Sequence, residues 1–149
     1  SSDVCSSDLP IFGYWNIRGL GAQCRSLLKF CGVNYQERKY NQHWDDANQT
    51  WDRSDWLNEK FNLGMEYPNL PYIFDEDVKL TETLAIMQYI AKKWKPELLG
   101  RNAAEVGRLH MLEYHVFTLK STCTMPCYGE NPDKDEILAS CRPLLASIY

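Results

Sequence analysis

Four stretches of the sequence combine polar side chains with backbone positions where chemistry can be done. The first is Gly13-Tyr14-Trp15-Asn16-Ile17-Arg18-Gly19-Leu20. It closes an apolar run, so its phenol either fills the core or stands at the C-terminal end of a strand, where open α/β folds bind ligands. The second, Gly19-Leu20-Gly21-Ala22-Gln23-Cys24, begins like a dinucleotide-binding glycine fingerprint. Its third glycine is replaced by Cys24, the close helix approach is lost, and a Rossmann reading is set aside. In Tyr67-Pro68-Asn69-Leu70-Pro71-Tyr72 a proline introduces a strand. Pro71 is either a plain strand starter or the partner of a cis Leu70–Pro71 bond that turns the Leu70 backbone toward an extended peptide. The fourth stretch, Thr81-Glu82-Thr83, sits at a helix start. It reads as an N-cap with an acidic first turn, or as free N–H groups and a Thr83 hydroxyl cradling a carboxylate.

Other reactive residues point away from metal chemistry. Cys24 and Cys31 lie seven apart in an apolar helical stripe, so buried free thiols are expected. Cys123 and Cys127 have no metal-ligand spacing with His43, His110 or His115, and neither a metal nor a disulfide is expected. The 149 residues carry 16 Lys+Arg against 20 Asp+Glu, a formal charge of -4. With no basic block, nucleic acid and anionic membrane surfaces are not expected as partners. No uncharged run exceeds nine residues, too short to span a bilayer, and a soluble cytoplasmic protein is expected.

The elements that position these residues follow from periodicity. Residues 1–9, Ser/Asp-rich and aperiodic, read as a non-native scar. Pro10 to Ile17 reads as a buried strand, Leu20 to Cys31 as a helix stopped by Gly32, and Val33 to Tyr40 as a second strand. That is a right-handed βαβ unit of about thirty residues with parallel strands. Asn41 to Thr50 reads as a loop, with a short helix at Ser54 to Phe61. A hairpin of Tyr72 to Asp75 and Val78 to Leu80 turns at Glu76-Asp77, and a helix runs from Glu82 to Trp94. Residues 95–101 form a linker, and 102–149 are helical, opening with an Asn102/Glu105 capping signal and resuming at Pro132. The stripe Ile137, Leu138, Cys141, Leu144, Leu145 and Ile148 ends at Tyr149 without a cap, which suggests truncation.

Taken in order, GYWNIRGL (Gly13 to Leu20), DRSDWLNEKFNLG (Asp52 to Gly64), YPNLPY (Tyr67 to Tyr72), KLTETLAI (Lys79 to Ile86) and Cys127-Tyr128 resemble a glutathione transferase of the Mu class. The resemblance runs from Pro10 to Tyr149, and Pro143 matches a family proline within a helix. It implies an α/β thioredoxin-like domain at 10–94 that binds glutathione, and an incomplete all-α C-terminal domain at 102–149. Tyr14 matches the catalytic tyrosine. Trp15 and Leu20 match residues beside the sulfur; Arg53, Trp56 and Lys60 match those toward the glycine carboxylate. Asn69, Leu70 and Pro71 match the segment facing the cysteinyl unit, and Tyr128 matches the tyrosine facing the electrophile. Glu82 and Thr83 match the pair at the γ-glutamyl end, where the class has Gln-Ser. Thr118 stands where the family has an aspartate reaching the neighbouring subunit's glutathione.

Trp44 and Trp51 fall in the extended loop of Mu enzymes. The implied activity is conjugation of the glutathione thiolate to small hydrophobic electrophiles, a detoxification reaction, with glutathione as co-substrate, no metal, and a homodimer at full length. Two alternatives carry different chemistry. One is a non-catalytic protein that binds glutathione or hydrophobic ligands on the same scaffold. The other is a thiol-disulfide oxidoreductase, which needs a reactive cysteine such as Cys24 near the first strand end.

Overall fold

A computed structural model describes residues 9–129 and 133–146, with the side chain of Leu144 left out. The expectations for residues 1–8, Pro132, Ile148 and Tyr149 lie outside the described residues. The chain divides into two compact units, one ending at Leu98 and the other beginning at Leu99.

In the first unit the apolar run forms β1 (Ile11–Trp15), the amphipathic stripe forms α1 (Gly21–Phe30), and the chain returns as β2 (Gln36–Tyr40). β2 lies parallel to β1, with Trp15 opposite Tyr40, as a βαβ crossover requires. β5 (Tyr72–Asp75) and β6 (Val78–Thr81) form the expected hairpin, and β5 runs antiparallel to β1. The sheet order is β2-β1-β5-β6. α3 (Thr83–Trp94) follows β6 and packs beside α1. Alternation along β1 puts Phe12 and Tyr14 on the α1 face and Gly13 on the other. Phe12, Cys24, Leu28, Ile73, Ile86 and Ile90 are fully buried there. Cys24 is a buried free thiol, and Cys31, half-buried, is also free.

Three local expectations need correcting. Residues 41–50 are not a plain loop: β3 (His43–Asp45) pairs antiparallel with β4 (Thr50–Asp52). Trp44 opposes Trp51 with ring centroids 5.6 Å apart, and the Asp45 carboxylate closes the turn by accepting from the Ala47 and Asn48 N–H groups. Five of the six strand residues are exposed, so no inward–outward alternation exists in the sequence to reveal the pair. The short helix α2 spans only Ser54–Leu57 and then loosens into turns, with Glu59 N–H donating to Trp56 and Asn62 N–H to Glu59. The expected linker contains a 3-10 turn, Pro96–Leu99.

The described residues of the second unit form α4 (Ala103–Thr124), a 3-10 turn (Met125–Tyr128) and α5 (Lys134–Ala146), which contains Pro143. The Asn102 side chain caps α4 by accepting from the N–H groups of Ala104 and Glu105. The Glu105 carboxylate accepts from the Arg101 N–H and guanidinium, one residue further out than the N-cap. The largest departure is Cys123, which is not a free thiol: it is bonded to Cys141 of α5, with the Cα atoms 5.9 Å apart. Among the described residues, no helix is long and apolar enough to cross a membrane.

Candidate functional site

Sheet register decides which sequence candidates meet. Gly13 opposes Tyr72, and Tyr72 opposes Thr81. The end of β1, the entry to β5 and the exit from β6 therefore share one end of the sheet. Tyr14, the segment Asn69-Leu70-Pro71, and Glu82-Thr83 all emerge there.

Tyr14 is 6% exposed, yet its hydroxyl is used rather than merely buried. The Leu20 N–H donates to it at 2.9 Å. A phenol oxygen that accepts there can also donate its own hydrogen. The turn that brings Leu20 back over the ring is possible because of two glycines. A Cβ on Gly19, which has φ +39°, would stand 2.6 Å from the Tyr14 hydroxyl, and one on Gly21 would stand 2.4 Å from the ring. The Gly19-Leu-Gly21 pattern that resembles a dinucleotide motif is thus the wall of the tyrosine pocket.

Arg25 holds the same turn. Its guanidinium donates to the carbonyls of Ile17 (2.8 Å) and Trp15 (3.2 Å), pairs with Glu37, and lies 5.7 Å from the centroid of the Tyr14 ring. The sequence reading missed this residue. Its only signal was a cation one position past the stripe residue Cys24, and its targets are backbone atoms.

The Leu70–Pro71 bond is cis. Asn69 organises the neighbourhood: its Oδ1 accepts from the Leu70 N–H and its Nδ2 donates to Glu82 Oε1, both at 2.9 Å. Thr81 adds a hydroxyl bond to the Tyr67 carbonyl at 2.9 Å. Glu82 has φ 71°, a left-handed backbone unusual for a residue with a side chain. Although Glu82 is the N-cap of α3, among the described residues its side chain makes no capping bond to the helix. The simple capping explanation of Thr-Glu-Thr therefore fails. The first turn of α3 begins with the buried Thr83, whose carbonyl accepts from Cys24 Sγ at 3.9 Å. Cys24 is fully buried, so the structure gives no support to a reactive cysteine at this strand end.

On the opposite face, Trp56 is 5% exposed and stacks on Tyr72 at 6.2 Å, with its edge toward Tyr40 at 5.1 Å. The Tyr40 hydroxyl donates to Glu59 Oε2 at 2.9 Å and lies 3.0 Å from that of Tyr72. Burial first, and these hydrogen bonds second, push the Tyr40 phenol well above its ordinary range; burial also raises Tyr72. Trp56 thus belongs to an aromatic wall, while Arg53 at the N-cap of α2 is exposed and Lys60 is half-buried over the Phe61 ring. Trp15 and Leu20 are half-buried beside Tyr14. Tyr128 lies in the second unit, 77% exposed.

A mixed four-stranded sheet with a crossover helix, a C-terminal hairpin and helix, and a cis-proline opening the third sheet strand defines a thioredoxin-like domain followed by a helical region. Residues 10–92 match the model of the glutathione S-transferase N-terminal domain, and the chain belongs to the glutathione S-transferase family. It is 42% identical over 128 residues to a glutathione S-transferase of Tyrophagus putrescentiae, covering 86% of this chain and 56% of that protein. Against glutathione S-transferase Mu 1 of Bos taurus it is 44% identical over 124 residues, covering 83% and 55%. The crystal structure of the glutathione S-transferase Blo t 8 superposes with a TM-score of 0.71 at 30% identity, covering 93% of this chain and 58% of that one. The chain spans about half the length of the curated relatives it matches.

Proposed function

We propose that this chain is the glutathione-binding part of a Mu-like enzyme that joins the glutathione thiolate to small hydrophobic electrophiles. The observation that carries the reading is the buried Tyr14 hydroxyl, which accepts from Leu20 N–H between Gly19 and Gly21. A free thiol of pKa about 8.5 is mostly protonated at neutral pH. A phenol O–H aimed at the sulfur favours the thiolate, and each tenfold gain in thiolate is worth about 1.4 kcal/mol. The thiol proton leaves to solvent, Tyr14 keeps its own, and the sulfur attacks the electrophilic carbon; with an aryl halide the C–S bond forms and the carbon–halogen bond breaks, the halide leaving with the electron pair. Accepting from Leu20 N–H makes the phenol a better donor, because hydrogen bonds in a chain polarise one another.

In this reading Trp15 and Leu20 flank the sulfur, and Arg53, Trp56 and Lys60 face the glycine carboxylate. Leu70, with Asn69 and Pro71, pairs with the cysteinyl unit. Glu82 and Thr83 hold the γ-glutamyl end: the start of α3 suits its carboxylate and the Glu82 carboxylate suits its ammonium. Tyr128 faces the electrophile, where its hydroxyl can donate to developing charge. The proposed division is a glutathione-binding domain at 10–94, a linker at 95–101 and part of a helical domain at 102–149. The full-length protein is proposed to be a cytoplasmic homodimer acting in detoxification without a metal.

Calorimetric titration with glutathione, of the 149-residue chain and of a version extended to its relatives' length, followed by conjugation of a generic aryl halide, tests this. Binding with turnover in the extended protein supports the enzyme. Binding without turnover in both favours a ligand-binding scaffold, and no binding in either refutes the site.

A further inference from the structure

Arg25 lies outside the residues matched to glutathione, yet its whole guanidinium is spent on the Tyr14 pocket. Each of its three nitrogens has its own acceptor: Nε donates to Glu37 Oε1, Nη1 to the Ile17 carbonyl at 2.8 Å and Nη2 to the Trp15 carbonyl at 3.2 Å. The two carbonyls bracket Asn16, where the chain leaves β1 and turns back to bring the Leu20 N–H onto the Tyr14 hydroxyl. The guanidinium carbon lies 5.7 Å from the centroid of the Tyr14 ring and 5.8 Å from that of Phe12. A Cβ on Gly21 would stand 3.1 Å from Nη1 as well as 2.4 Å from the ring, so the cation is layered against the phenol. Glu37 sits on β2 in the register that sets it opposite Phe12, and its carboxylate therefore comes up on the α1 face, where it offsets the Arg25 charge. The two side chains are only 22% and 23% exposed, so water and salt screen the pair less than an open surface pair. The Tyr35 phenol, edge-on to Phe12 at 6.2 Å, feels the two charges with opposite sign: burial raises it most, Glu37 raises it further and Arg25 lowers it. Other charged groups at this end of the sheet are Arg18 in the turn, Lys39 at 3.8 Å from the other Glu37 oxygen, and Glu82 at the start of α3.

We propose that Arg25 and Glu37 are a pair of positioning residues for Tyr14, in which the cation steadies the hydroxyl and favours a thiolate beside it while the carboxylate holds that effect in check. The pair's role rests on the conjugation reading and adds to it two residues that act through Tyr14. Its two contributions are separate. The bonds to the Trp15 and Ile17 carbonyls fix the turn, and with it the place of the Leu20 N–H. The charge acts across the ring: a positive group near a developing anion stabilises it, and a carboxylate bonded to that group takes part of the field away. No proton or electron passes through either residue. A lysine at position 25 supplies the charge, but it lacks the planar fork that meets Glu37 and two carbonyls at once.

The test measures the pH at which the thiol of bound glutathione ionises, by thiolate absorbance, together with glutathione affinity, in the protein extended to its relatives' length. Arg25→Leu, Arg25→Lys, Glu37→Gln and Tyr14→Phe are compared with the unsubstituted protein, with circular dichroism confirming that each is folded. Opposite shifts are expected from the two halves of the pair. In Arg25→Leu the thiol should ionise about one pH unit higher, leaving about tenfold less thiolate at neutral pH. In Glu37→Gln it should ionise about half a unit lower, giving about threefold more. Arg25→Lys should fall between Arg25→Leu and the unsubstituted protein. A purely structural role would loosen the turn in Arg25→Leu and Glu37→Gln alike and move both upward. If Arg25→Leu does not fold, Glu37→Gln decides alone. A Glu37→Gln thiol that ionises at the same pH as the unsubstituted one or higher overturns the inference, and so does an unmoved thiol in folded Arg25→Leu. No glutathione binding, or a thiol unmoved by Tyr14→Phe, overturns the conjugation reading and this inference with it. A Tyr14→Phe shift without the opposed shifts of the pair overturns this inference alone.

Discussion

The two ends of the four-stranded sheet both carry polar side chains and use them differently. At the β5–β6 turn, the buried Asp75 carboxylate accepts from the Tyr89 hydroxyl and the Lys93 ammonium, both at 2.7 Å, and Lys93 also reaches Glu76 at 3.0 Å. Those groups join the C-terminal half of α3 to the hairpin and leave little for a ligand to do. At the other end the Tyr14 hydroxyl accepts from a backbone amide, Glu82 occupies a left-handed backbone, and α3 starts without a cap from Glu82. Unfavourable backbone and uncapped helix starts persist where the surrounding structure holds them in place. The difference marks one end as holding the fold and agrees with the proposal that the other binds glutathione.

Substitutions should separate the two ends. Asp75→Asn removes a buried charge from two donors and is expected to lower unfolding free energy by about 2 to 3 kcal/mol. Urea denaturation measures this, and glutathione affinity should stay unchanged in the folded protein. Gly21→Ala pushes a methyl group into the Tyr14 ring. It is expected to cost about 2 kcal/mol of stability and, unlike Asp75→Asn, to weaken conjugation in the extended protein about tenfold. Glu82→Gly should do the reverse of Asp75→Asn: relief of the positive φ raises stability by about 1 kcal/mol, while loss of the carboxylate weakens glutathione binding severalfold. Equal effects of Asp75→Asn and Glu82→Gly on affinity would erase the distinction between the ends.

Alkaline pH probes both ends at once. Burial is the main cause that raises Tyr40, Tyr72 and Tyr89 above their ordinary value near 10. Groups raised on folding contribute stability that is intact below about pH 10 and is lost as pH rises through their folded values. Unfolding free energy should therefore decline above about pH 10, and less steeply in Tyr40→Phe, which removes one titrating phenol.

Much of this architecture was legible because its elements are buried on one face. The β1-α1-β2 unit, the β5–β6 hairpin and α3 each have apolar residues at the period their backbone imposes. The β3–β4 pair escaped detection because its six residues have almost no buried face, so Trp44 and Trp51 read as loop aromatics. The sequence motifs placed Tyr14, Pro71 and Thr83 near one another, but not what surrounds them. The steric need for Gly19 and Gly21 depends on a ring folded over them, and Arg25 acts on carbonyls eight and ten residues away. The Cys123–Cys141 bridge joins cysteines 18 residues apart on two helices, a pairing that cysteine spacing does not reveal.

The central claim, that Tyr14 stabilises a thiolate, is tested most directly by the thiolate absorbance of bound glutathione as a function of pH. The extended protein and its Tyr14→Phe variant are compared, with affinity measured alongside. The account predicts a bound thiol that ionises below the free value of about 8.5 in the unsubstituted protein and moves back toward or above it in the variant, with affinity little changed. A bound thiol with the same ionisation in both proteins would contradict it.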